Sequence, residues 1–181
     1  MTRLDTLCEI YVSHARLPWS RNLAGAQRVW FVVYDEDDER RLRNSIGRFE
    51  VATRQVGQLW RQVDITNAFA EWMSAHRYRD RYFARPELLD DAALVSFRQH
   101  VVAKIRAGLA ADDCTEDTVV ALTGVGALFG FLRVAEIVRE LEGEIRGRLA
   151  VFFPGAHRNN HYRLMDRRDG WNYLAVPLAN D

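Results

Sequence analysis

An α/β three-layer sandwich is the fold class this chain of 181 residues predicts, with a mostly parallel central sheet of about five strands and flanking helices. Short runs rich in β-branched and aromatic residues alternate along the chain with longer segments of helical period. One of those runs, Val119-Val120-Ala121-Leu122, is apolar on both faces, as expected of the central strand of a parallel sheet covered on each side. It runs into Thr123-Gly124-Val125-Gly126 and from there straight into an apolar segment read as a helix.

Leu4, Leu7, Cys8, Tyr11 and Ala15 recur at helical spacing, and Pro18 stops that first helix. Gln27 to Asp35 (QRVWFVVYD) is the strongest strand signal. The acidic run Asp35 to Glu39 supplies an N-cap and first-turn charge to a helix reaching about Val56. Leu59 to Ile65 reads as a second strand, and Thr66 or Asn67 caps a helix carrying Phe69, Trp72 and Met73. After the basic, aromatic stretch His76 to Arg85, Pro86 starts a long helix with Leu94, Phe97, Val101 and Ile105 among its apolar positions. Leu128, Phe129, Leu132, Ile137, Val138 and Leu141 give the helix after the central strand a broad apolar face, loosened at its end by Gly143 and Gly147. Arg148 to Phe153 is a fourth strand, broken by Pro154-Gly155. A polar loop, AHRNNHYRLMDRRDG, leads to WNYLAVPL, a last strand that Pro177 confines to an edge. Residues 1–181 form one domain, in which 66–110 could be a helical insertion beside the sheet.

Hydrophobic residues make up 48% and charged residues 28%, which is ordinary for a globular domain. Net charge is zero, against the cationic excess of a free-standing nucleic-acid binder. Cys8 and Cys114 match no metal or redox spacing and read as reduced thiols. The first residues are acidic and carry no apolar h-region, and no apolar run approaches the roughly 20 residues a bilayer requires, so a cytoplasmic protein is expected.

Gly124, Gly126 and Gly130 follow a strand, as in a nucleotide-binding turn, but the rest of that fingerprint is missing. The next strand ends in Pro154-Gly155 where a ribose-binding acid belongs, and no P-loop Lys or Ser/Thr follows. The fold is therefore Rossmann-like without a complete nucleotide motif. Gly124, Gly126, Pro154 and Gly155 are read as structural turns. His157 and His161 stand four apart above Asp166 and Asp169, but in a loop without a third ligand at fixed spacing, so no metal is expected. No Gly-x-Ser-x-Gly element or Cys motif marks a nucleophile, and no catalytic residue or cofactor is assigned. Two arginine sets remain: Arg77, Arg79, Arg81 and Arg85 with Tyr78, Tyr82 and Phe83, and Arg158, Arg163, Arg167 and Arg168 with His161 and Tyr162. Solvated faces account for both sets more simply than nucleic-acid contact does, while arginine and tyrosine suit a protein partner.

The blocks VVALTGVGALFGFLRVAEIVREL, RLAVFFPG, YRLMDRRDG and WNYLAVPL, over residues 118 to 178, resemble the BrxB family. Its members are encoded in the bacteriophage exclusion (BREX) loci of bacteria and archaea. The resemblance implies a non-catalytic component of a defence complex that combines a DNA methyltransferase, a PglZ-like protein of alkaline-phosphatase fold and a large ATPase. It further implies an adaptor that docks on the PglZ-like member and meets other BREX subunits, touching DNA only indirectly and no membrane. The expected contact residues are Arg158, His161, Tyr162, Arg163, Arg167 and Arg168, beside the Gly124–Leu128 turn. Two alternatives stay open: a degenerate nucleotide-binding protein with a phosphate held at Gly124–Gly126, and a weak DNA-binding subunit of the same complex using arginines 77–85 and 158–168.

Overall fold

Alternate residues of Val29–Tyr34 face opposite sides, and every one is buried: Val29, Phe31 and Val33 enter one apolar cluster, Trp30, Val32 and Tyr34 another. A strand apolar on both faces needs a cover on both. The computed structural model, which describes residues 2–158, 161–165, 167–171 and 174–180, supplies those covers. Asn172 and Tyr173, expected in the last strand, lie outside the described residues, as do Asn159, Asn160 and Asp166.

The elements run α1 (Arg3–Ala15), β1 (Val29–Tyr34), α2 (Glu39–Gln55), β2 (Leu59–Asp64), α3 (Ala68–Ala75), α4 (Arg79–Ala84) and α5 (Asp91–Leu109). Then come β3 (Thr118–Thr123), α6 (Val134–Leu141), β4 (Arg148–Arg158), β5 (His161–Leu164), β6 (Arg167–Trp171) and β7 (Val176–Ala179). Five strands form a parallel sheet in the order β2-β3-β4-β1-β7, and β5 and β6 extend β4 as an antiparallel meander. The expected three-layer α/β sandwich is thus the fold.

From β1 the chain travels to the far edge at β2, then returns through β3 to β4. Crossovers of one hand that run in opposite directions must pass over opposite faces. Accordingly α1 and α2 cover Trp30, Val32, Trp60 and Phe152, while α3, α5 and α6 cover Phe31, Val63, Leu122 and Phe153. Residues 66–110 supply α3, α4 and α5 and so form the β2-to-β3 crossover.

Several local expectations are corrected. The middle strand is β4, not β3, because β2 is an edge strand with alternating exposure that flanks β3 on its outer side. Val125–Leu128 closes a 3-10 turn, and α6 begins only at Val134, since Gly130 at φ +82° interrupts helical geometry. Pro86 opens a 3-10 turn, and α5 is capped later by Asp90, whose side chain accepts from the Ala93 amide at 2.9 Å. Asp35 caps a 3-10 turn before α2 rather than α2 itself, and Asn67 precedes α3 without a side-chain capping bond. β4 is not broken at Pro154-Gly155, and the polar segment after it folds as β5 and β6.

On the α1 face, the Tyr11 hydroxyl meets Thr53 Oγ1 at 2.6 Å, and Thr53 donates to the Phe49 carbonyl at 2.7 Å, which ties α1 to α2 inside the core. His14 sits edge-on to Trp30 at 4.8 Å, where burial, and secondarily the charge of Arg148, lowers its pKa from the ordinary 6.5. The unfolded chain therefore binds this proton more tightly than the folded one, so stability falls as pH drops through 6.5 towards the folded value. The melting temperature is expected to decline between about pH 7.5 and about pH 5.5, with a shallower slope in His14→Phe, as measured by calorimetry across that range.

Candidate functional site

Past Pro154, β4 exchanges one partner for another. Its parallel register with β1 ends at Tyr34 opposite Pro154, and from Gly155 to Arg158 it pairs antiparallel with β5. Gly155 allows this: its φ is +151°, and a Cβ there would lie 1.9 Å from the Arg163 carbonyl oxygen. Only glycine fits such a close backbone approach. The Pro154 carbonyl accepts from the Met165 amide at 3.0 Å, closing the meander against the strand.

The alternation of β5 separates the contact residues predicted from sequence. Tyr162 and Leu164 turn into the core, while Arg163 is exposed and His161 half-buried. Tyr162 is thus corrected from a contact residue to an internal one. Its ring meets Phe31 at 4.3 Å and His157 at 4.6 Å, its hydroxyl donates to the Ala175 carbonyl at 3.1 Å, and burial raises its pKa. His157 pairs opposite Tyr162 and Arg158 opposite His161, so the two histidines, expected in a loop, lie on adjacent strands. Burial and the charge of His161 lower the His157 pKa. For Arg158, Arg167 and Arg168 the described structure is backbone in β4 and β6; their side chains lie outside it.

The Gly124 turn abuts this meander. Gly124 has φ +81°, and a Cβ on it would fall 2.3 Å from Thr66 Oγ1 and 2.8 Å from Asp64 Oδ1. A Cβ on Gly126 would stand 3.3 Å from Met165 Cε and 3.4 Å from Pro154 Cγ. Both glycines therefore serve the packing of neighbouring loops. The Asp64 carboxylate at Gly124 is itself engaged, accepting from the Thr66 amide at 2.9 Å and the Thr66 hydroxyl at 2.6 Å. The sequence signal for it was Asp64-Ile65-Thr66, an Asx-turn pattern.

Between α2 and the strand tips lies a cavity of about 330 Å³, lined by Tyr34, Glu39, Arg43, Gln62, Asp64 and Thr123 among others. This is the crevice at the carboxyl ends of parallel strands where α/β proteins bind ligands. Its polar groups largely answer one another. Tyr34 donates to Glu39, Arg43 Nε donates to Glu39 at 2.6 Å, and Gln62 donates to Thr123 at 3.1 Å. Burial and the Glu39 carboxylate raise the Tyr34 pKa. Two carboxylates face one guanidinium here, an environment that disfavours a phosphate.

Among the described residues, no group of three or more His, Cys, Asp or Glu is placed to hold a metal ion, and no helix is long and apolar enough to cross a membrane. A family model described as BREX protein BrxB matches residues 62–178, from within β2 to β7. That span is wider than the blocks at 118 to 178, and β1 and α2 fall outside it. No curated protein and no solved structure matches the chain.

Gly124→Ala combines left-handed strain with a steric clash and is expected to cost about 2–4 kcal/mol, lowering the melting temperature by roughly 5–15 °C. A panel of ATP, GTP and NAD is expected to leave the wild-type melting curve unmoved. A nucleotide-dependent rise that the variant lost would assign the turn to phosphate binding instead.

Proposed function

The chain belongs to the BrxB family of BREX proteins, and is thereby a component of a BREX antiphage defence system. From that premise we propose that it acts in the complex as a non-catalytic adaptor, docking a PglZ-like partner on the β4–β5–β6 meander and the adjoining Gly124–Leu128 turn. The observation that carries this reading is the way β4 leaves the sheet. It continues past Gly155 as a ribbon anchored to the core by Tyr162, with Arg163 exposed. A surface fixed from beneath loses little conformational entropy when a partner covers it. The neighbouring glycines are committed to packing, and the crevice beside them holds mutually bonded polar groups with no nucleophile–base pair, which supports docking over chemistry. His161 and the arginines of β4 and β6 belong to the same ribbon and extend the proposed contact.

Reversing the exposed charge in Arg163→Glu is expected to weaken co-purification of the PglZ-like protein at least about tenfold, while the melting temperature stays within about 2 °C of wild type. Retention of the PglZ-like protein at the wild-type ratio would remove this surface from the interface.

A further inference from the structure

A second exposed surface lies on the β2-to-β3 crossover, on α3, α4 and α5. Helix α4 has no buried residue, and around it Phe83 is 70% and Tyr78 44% exposed. Beside it α3 and α5 border an open groove of about 580 Å³, lined by Trp72, Ala75, His76, Tyr78, Ser96 and Gln99 among others. Its wall is aromatic: Trp72 meets His76 at 4.9 Å, and His76 lies 6.0 Å from Tyr78. Arg77 lies over the Tyr78 ring at 4.7 Å.

The charges on this surface are unevenly matched. Arg79 is held by the Ser74 carbonyl at 2.9 Å with Asp80 at 3.6 Å, and Arg85 pairs with Glu87 at 3.0 Å. Arg77 and Arg81 have no carboxylate partner among the described residues. The carboxylate lining the groove, Glu71, is already taken by Lys104 at 2.7 Å. Arg77, without a carboxylate, thus flanks the exposed Tyr78 ring and a largely apolar groove. Arg81 and the exposed Phe83 stand on the adjoining helix α4, a composition that suits an interface core.

We propose that Arg77, Arg81 and Phe83, with the Trp72–Tyr78 groove, form a docking surface for an acidic segment of a partner protein. That segment presents carboxylates to the two guanidinium groups and seats an apolar side chain against Trp72 and Tyr78. Charge complementarity selects an acidic occupant, and the apolar content selects protein over nucleic acid. The chain carries zero net charge, without the cationic excess of a nucleic-acid binder. Arginine matters here because its planar fork grips a carboxylate bidentately while stacking on an aromatic face. This surface shares no residue with the strand-end ribbon.

The test uses the full chain co-expressed with the other proteins of its own defence locus. Amide hydrogen exchange in the purified complex is compared with that in the free chain. Residues 77–85 are expected to exchange at least about tenfold more slowly in the complex, and Arg77→Glu/Arg81→Glu and Phe83→Ala are each expected to release the partner responsible while keeping the wild-type circular dichroism. Unchanged exchange over 77–85 overturns the inference. Slowing confined to 155–165 does so while upholding the ribbon as an interface, and failure of the wild-type chain to retain any subunit overturns both surfaces. A duplex of about 20 base pairs serves as the nucleic-acid probe, and low-salt binding that the double variant abolishes would reassign the surface to DNA.

Discussion

One strand holds this protein together, and it does so by serving three ladders in turn. β4 pairs with β3 and β1 through its first half and with β5 through its second. Leu149 to Phe153 are wholly buried because both faces of that first half are covered. The second half leaves the sheet, and the change of partner is tolerated because Gly155 lacks a Cβ where the Arg163 carbonyl approaches. Without that glycine the meander could not fold back, and Tyr162 would not reach Phe31 or the Ala175 carbonyl.

The two ends of the sheet are treated differently. At the amino ends of β1 and β4, guanidinium groups bind backbone carbonyls. Arg28 donates to Ile145 at 2.7 Å and to Arg21 at 2.9 Å, and Arg148 donates to Gly147 at 3.0 Å while lying 4.7 Å from the Trp19 ring. Arg148 is buried, its pKa lowered by desolvation and then by Arg28, and the carbonyls offset part of that burial cost. This end is sewn shut. The carboxyl end instead holds the acidic run after β1, the glycine turn after β3, the meander and the open crevice. Closure at one end and irregular, solvent-facing structure at the other is how α/β folds separate stability from interaction.

Electrostatics contributes to that division more than to stability. Most ion pairs here join exposed partners, such as Arg54 with Glu50 at 3.0 Å and Arg106 with Glu144 at 2.9 Å, and pairs of that kind are individually worth at most about 1 kcal/mol. Their effect is to neutralise the surface locally. On the crossover surface, Arg77 lies over the Tyr78 ring without a carboxylate partner among the described residues.

The sequence by itself determined the layers. Val29–Tyr34, Val119–Leu122 and Leu149–Phe153 are apolar on both faces, which forces helices onto both sides whatever the strand order, and Pro177 confines β7 to an edge. The contact ribbon was only half legible. The period-two pattern His161-Tyr162-Arg163-Leu164 was present, but four residues of alternation beside arginines read equally as a polar loop. Tertiary structure alone decided that β4 is central, that Tyr162 faces inward, and that Gly124 makes room for Asp64 and Thr66. Those outcomes depend on which distant backbone approaches which residue. A local pattern records how a segment divides its faces between water and core, but not what occupies the other side.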